Sequence, residues 1–339
     1  MDQLNSRAYL DLWDALDYQL DAVNQQAGLG SALWSLHEHQ VQSGFIQDDL
    51  NTIRRFRMPC PINPERAFSA QFNPARGRRF RGAGAIPAAD SDLSINGGCF
   101  LCAENIWWQQ QGAEIGYRLR PAGGRYTAWM NPFPVLPGHA VIASREHWPQ
   151  HWQAPGSLSL HELVDDLSTF SELLPGWLTF YNGVGAGASI PHHLHFHAIP
   201  RPAGYEIMPL EAAAQRCRQS GRVLWEYPLS FMHWGGQRRQ ILPEAQAWVE
   251  EWQTGSGSEA DATANIIACT SPSADRLDLY FIPRHQRRSR GEGLAGIIGG
   301  FEALGEIVCS SSEDLERLER GEVDYDTVTS LLRHVSVAF

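Results

Sequence analysis

The sequence predicts an α+β fold, an antiparallel sheet with helices packed on it, and three observations carry that reading. Residues 126–200 run strand, strand, helix, strand, strand, an order that closes most economically as a sheet with a helix on one face. Residues 265–304 repeat a hairpin and a helical segment, so the second half partly echoes the first. The chain has 339 residues and is 43% hydrophobic, enough to bury one large core or two closely packed ones.

Taken in order, Tyr9, Trp13, Leu16, Leu20 and Val23 recur at helical spacing up to Gly28, which reads as an amphipathic helix. Residues 68–80 pass from an alternating, strand-like stretch into a basic turn holding Arg76, Arg78 and Arg79. Gly97, Gly98 and the pair Cys99 and Cys102 mark a tight loop. Residues 126–144 form a hairpin around Pro132, Pro134, Pro137 and Gly138. Residues 158–174 have a helical pattern, and Trp177-Leu-Thr-Phe-Tyr181 is a buried-type strand. A Gly/Ala/Ser loop then leads to a histidine-bearing strand ending at Pro200. Beyond Arg201, a strand is expected over 222–231 and a helix over 244–252. Residues 255–259 read as an exposed loop, 265–283 as a second hairpin, 294–304 as helical, and an acidic helix as the end. The division expected is an N-terminal helical segment over 1–67, a site-bearing half over 68–205 and a second half over 206–339.

The net charge of −11 disfavours broad electrostatic contact with nucleic acid or anionic membrane, which needs clustered Lys and Arg. A small anionic ligand needs only a local Arg cluster. No apolar run nears the roughly 20 residues that span a bilayer, and the N-terminus is not signal-like, so the cytoplasm is expected. In a reducing compartment Cys99-x-x-Cys102 reads as a metal clip or a redox pair.

The chemistry concentrates in His193-Leu-His195-Phe-His197. Alternate side chains of a strand share a face, so the three imidazoles are expected on one side of a site. The preceding Asn182-Gly-Val-Gly-Ala-Gly187-Ala-Ser189 loop offers small residues whose amides approach an anion, as phosphate-cradling loops do. Imidazoles beside an anion site suggest phosphoryl chemistry; a metal site or a satisfied polar face is the plainer alternative.

His193-Leu-His-Phe-His-Ala-Ile199 resembles the signature of the histidine-triad superfamily, and Asn131-Pro-Phe-Pro-Val-Leu-Pro-Gly-His139 is similar to the segment whose first residue contacts ribose. Cys99-Phe-Leu-Cys-Ala-Glu-Asn105 and Val141-Ile-Ala-Ser-Arg-Glu-His147 are similar to the zinc loop and ligand strand of the branch holding galactose-1-phosphate uridylyltransferase, diadenosine tetraphosphate phosphorylase and the GDP-hexose phosphorylases. The resemblance extends weakly from Phe68 to the C-terminus through Gln71-Phe-Asn73-Pro-Ala-Arg76 and Glu302-Ala-Leu-Gly305.

That resemblance implies two half-barrel sheets flanked by helices and a structural Zn²⁺ on Cys99, Cys102, His147 and His193, with His151 the alternative to His147. It implies His195 as a nucleophile that holds a nucleotidyl group, with His197 and Ser189 beside it. Asn131, Asn182, Gly187, Arg76 and Arg78 would bind substrate, and His139 would pack or hydrogen-bond near the site. The implied substrate is a nucleotide or nucleotide sugar, or a dinucleoside polyphosphate, the acceptor is phosphate or a sugar phosphate, and a homodimer is implied. One departure matters: the transferases carry Gln where this chain has His197, as hydrolases do. Water as acceptor, or nucleotide binding without turnover, are therefore the alternatives.

Overall fold

The computed structural model describes residues 6–46, 50–81, 96–99, 101–102, 116–201, 207–216, 227–290, 294 and 296–339; the side chains of 6–9 and 78–81 lie outside the description. The expected α+β class is what forms. Two helices, α1 (Ser6–Ala27) and α2 (Leu29–Gln42), precede a hairpin of β1 (Arg54–Cys60) and β2 (Asn63–Phe72). Then come β3 (Tyr117–Leu119), β4 (Tyr126–Met130), β5 (Ala140–Ser144), α3 (Leu160–Leu173), β6 (Trp177–Asn182) and β7 (His195–Pro200). The second half supplies α4 (Pro209–Arg216), β8 (Met232–Gly236), α5 (Arg238–Thr254), β9 (Ala262–Thr270) and β10 (Leu277–His285). It closes with α6 (Gly300–Ala303), β11 (Glu306–Cys309), α7 (Ser312–Glu319) and α8 (Tyr325–Val335).

The two halves join edge to edge. The large sheet has eight strands in the order β3-β4-β5-β7-β6-β9-β10-β8, every neighbour antiparallel, and β6 against β9 is the seam. Read outward from it, β6, β7, β5 mirror β9, β10, β8, with α3 entering β6 as α5 enters β9. Ile199-Pro200-Arg201 ends β7 and Ile282-Pro283-Arg284 lies near the end of β10, so a short identity accompanies the echo. β11 adds in parallel to β2, making a separate three-stranded sheet.

Both seam strands are buried along their whole length, because each face carries a core. One face places Tyr126, Phe196 and Phe281 against Phe170 of α3 and Trp252 of α5. On the opposite face Leu178, Phe180, Ile199 and Ile267 cluster with Phe301 of α6 and Leu331 of α8. Each fully buried large apolar side chain contributes about 2–3 kcal/mol, so these layers fix which strand residues face the site. α3 starts at a capping box: Glu162 N–H donates to Ser159 Oγ at 3.2 Å and Ser159 N–H to Glu162 Oε2 at 2.9 Å. Such a cap is worth about 1 kcal/mol.

Three expectations need correction. β7 begins at His195, so strand alternation does not reach His193, which sits in the preceding turn and faces away from the pocket. Part of 222–231 lies outside the described residues, and the strand there is Met232–Gly236. Only Gly300–Ala303 of 294–304 is α-helical. Residues 255–259 are exposed as expected except Gly257, which lies in a 3-10 turn buried against Trp252. Among the described residues no helix is long and apolar enough to cross a membrane.

Candidate active site

At the end of β7 nearest the turn, four sulfur and nitrogen atoms of Cys99, Cys102, His147 and His193 lie within 4.8 Å of one another. Cys99 Sγ is 3.4 Å and Cys102 Sγ 3.6 Å from His193 Nδ1, and Cys102 Sγ is 3.3 Å from His147 Nδ1. Bonds of about 2.3 Å to sulfur and 2.0 Å to nitrogen in a tetrahedron place ligand atoms about 3.3–3.8 Å apart, so the spacing fits Zn²⁺. His193 Nε2–H donates to the Ser144 carbonyl at 2.7 Å, which leaves Nδ1 unprotonated toward the sulfurs. That outer contact is the kind that orients a metal-bound imidazole. The Cys102 thiol, donating to the Cys99 sulfur and buried, is pushed up to about 12, while Cys99, which accepts, is lowered; a bound cation would allow both to ionise. His151 is not in this cluster: its Nε2 accepts from Gln286 Nε2 at 3.0 Å.

His195 is 1% exposed and forms part of the pocket wall. Its Nδ1–H donates to the His193 carbonyl at 2.8 Å, so the lone pair is on Nε2. Burial lowers the ring's pKa to about 4, and the imidazole is neutral throughout the physiological range. Its neighbour is held by His139. Val135 N–H donates to His139 Nδ1 at 3.3 Å, and His139 Nε2 lies 3.0 Å from His197 Nδ1 and 3.5 Å from Asn131 Nδ2.

Strand register sets out the rest. Trp129 on β4 pairs with Val141 on β5, which pairs with His197, which pairs with Phe180 on β6, so all four share the triad face. On the β4–β5 side Phe45, Leu101, Trp129, Val141 and Ile190 give an apolar wall. Arg76, Asn182, Gly299 and Glu302 are polar or backbone groups of the same pocket, and α6, which carries Glu302, packs on β6 and β9. Asn131 also lines the pocket, its Oδ1 accepting Phe133 N–H at 2.9 Å. Arg76 Nη1 donates to the Phe133 carbonyl at 2.6 Å. The side chains of Arg78 and Arg79 lie outside the described residues.

The loop between β6 and β7 is clamped by the second half. A Cβ on Gly187, whose φ is +107°, would run into Gly299 Cα. Asn182 Oδ1 accepts from Gly300 N–H at 2.7 Å and Asn265 Nδ2 at 2.9 Å, so this atom joins the halves. The amides of Ala186 and Ala188 donate to the Gly183 carbonyl, at 2.9 and 3.4 Å, and are internal to the turn. Ser189 lines the pocket.

Sequence reasoning did not single out Phe45, Leu101 or Gln150 as functional. Phe45 and Leu101 reach the pocket from segments distant in sequence, and Gln150 is a lone amide with no motif around it. Glu302 was visible only as part of a weak C-terminal similarity.

The structure matches three of yeast Ap4A phosphorylase Apa2. The complex with Ap4A aligns with a TM-score of 0.58 at 16% identity, covering 90% of this chain and 97% of that one. The complex with AMP gives 0.55 at 17%, covering 89% and 95%, and a further Apa2 structure 0.52 at 17%, covering 89% and 94%. The chain has the histidine-triad fold of that phosphorylase. A family model described as a domain of unknown function (DUF4922) matches residues 40–200, and a search of the curated proteins found no match. At this identity the likeness concerns the fold alone.

Proposed function

We propose that the protein is a nucleotidyltransferase of the phosphorylase type, cleaving a nucleoside diphosphate sugar or a dinucleoside polyphosphate through a nucleotidyl group held on His195. The observation that carries this is the His195 ring: buried, neutral, and locked by the His193 carbonyl with its Nε2 lone pair available. A nitrogen in that state needs no base to activate it.

In the first step the His195 Nε2 lone pair forms a bond to the α-phosphorus, and the bond from that phosphorus to the bridging oxygen breaks. The leaving phosphate or polyphosphate departs with the electron pair. In the second step an oxygen of inorganic phosphate attacks the same phosphorus, the N–P bond breaks, and a nucleoside diphosphate leaves. His197 N–H donates toward the non-bridging oxygens as charge builds on them, a contact made by a preorganised donor in a dry site. Asn131 at the end of β4 and the apolar wall place the nucleoside on the β4–β5 side. Arg76 addresses the leaving group.

Cys99, Cys102, His147 and His193 would hold Zn²⁺ in a closed site with a structural role, tying the loop before β3 to the entry of β7. The two-half fold and the Cys/His cluster support transfer over hydrolysis. The acceptor is tested by product analysis: with donor and phosphate the expected product is nucleoside diphosphate. Nucleoside monophosphate at the same rate with and without phosphate would make the protein a hydrolase. His195→Ala should form neither.

A further inference from the structure

At the entry of β7 the ladder to β6 is interrupted by a side chain. The register pairs Tyr181 with Phe196, so the next rung belongs to Asn182 and His195. There the Gln150 amide is interposed: His195 N–H donates to Gln150 Oε1 at 2.8 Å, and Gln150 Nε2 donates to the Asn182 carbonyl at 2.8 Å and the His195 carbonyl at 3.1 Å. Gln150 is completely buried. Its own main chain is held in turn, with N–H donating to the Pro191 carbonyl at 3.4 Å and its carbonyl accepting from the Tyr181 hydroxyl. Gln150 is not part of the pocket wall.

We infer that Gln150 is a positioning residue for the nucleophile. β6 and β7 must separate at this point, because residues 183–194 leave one strand and return to the other around the pocket. Separation strips His195 of its rung on the β6 side while its ring has to stay in one orientation. One planar amide, with two donors and an acceptor, spans the opening and satisfies all three main-chain groups. The ring's own anchor is the His193 carbonyl, two residues away on a turn, so the direction of Nε2 depends on how firmly the His195 backbone is held. No apolar residue of the same size can do this, and it would leave three buried polar groups unpaired.

The inference rests on His195 being the nucleophile, and the test separates the two. Single-turnover labelling from diadenosine tetraphosphate, nucleoside monophosphate affinity by calorimetry, and the His195 ring tautomer by ¹⁵N NMR are compared in the wild type, Q150L and Q150E. For Q150L the labelling rate is expected to fall about 10²-fold, the order of effect that a 1 Å misplacement has, with affinity changed less than about threefold because Gln150 touches no ligand. The Nδ1–H signal of His195 should broaden or split. A carboxylic acid can accept from one group and donate to another, whereas a carboxylate facing two carbonyls cannot. Q150E labelling should therefore fall as pH rises while the wild type stays flat; this arm also decides the matter if Q150L does not fold. Wild-type rates and tautomer in Q150L, or a wild-type pH profile in Q150E, would overturn the inference. If the wild type is never labelled yet Q150L loses the single tautomer, the positioning role stands and the proposed activity fails.

Discussion

His195 and His193 are two residues apart and do opposite things with their nitrogens. His193 gives its Nε2–H to Ser144 and turns Nδ1 to the cysteines; His195 gives its Nδ1–H to His193 and turns Nε2 to the pocket. Backbone carbonyls alone select both tautomers. For His195 the depressed pKa has a stability consequence whose sign is fixed. Below pH 6.5 the unfolded chain takes up a proton that the folded chain refuses until about pH 4. Stability is therefore lost as pH falls through that window, by up to about 3 kcal/mol. Urea midpoints measured from pH 7.5 to 4.5 should fall more steeply for the wild type than for His195→Gln; parallel curves would mean that the ring is not held neutral. The histidine run and the cysteine pair were legible because their spacing is the chemistry. Strand alternation alone did not set His193 apart from the other two, since that depends on where the strand begins; only the family resemblance assigned it to the metal. The contact of His139 with His197 was hidden as well: it depends on a turn that only the folded chain defines.

The elements that matter are the two connections around β7. The loop after β6 needs glycine at 187 because the second half's Gly299 lies against it. Gly187→Ala should slow labelling by at least about 10-fold, since displacing the loop moves the site by a fraction of an ångström to an ångström, and should leave metal content unchanged. Cys99→Ser should do the reverse in one respect: zinc per chain by elemental analysis should fall from one toward zero, with a lower melting temperature. Retained zinc would mean that Cys99 is not a ligand. The strand–helix–strand pattern of 126–200 was readable from periodicity, and the hairpin, the helix and β6 formed where expected, with β7 starting later, at His195. Boundaries beyond Arg201 were less so. There, tertiary contacts override local preference: Pro243 sits inside α5, and the described residues of 294–304 outside Gly300–Ala303 are bends, turn and irregular chain.

At the scale of the whole molecule, the sheet is continuous across two halves that meet at Asn182 and Asn265. Arg284, 1% exposed, extends that junction: its Nη1 donates to Asn265 Oδ1 at 2.6 Å and to the Ile298 carbonyl at 3.0 Å. Burial without a carboxylate in contact lowers its pKa to about 10, so it is still charged at neutral pH. Arg284→Met leaves two buried acceptors unpaired and should cost about 3 kcal/mol in urea unfolding. The exposed Arg287, changed likewise, should cost less than about 1 kcal/mol. Equal costs would mean that the junction is not a stabilising element. The repeated hairpin was the readable trace of the repeat; the Ile-Pro-Arg identity gains meaning only from the strand order.

The measurement closest to the central claim is the intact mass of the purified chain after brief exposure to UDP-, GDP- and ADP-sugars and to diadenosine tetraphosphate. The expected result is a gain of one nucleoside monophosphate, discharged faster by phosphate than by water and absent in His195→Ala. A mass that never changes while substrate is consumed, or an adduct that persists in His195→Ala, would contradict a nucleotidyl group carried on His195.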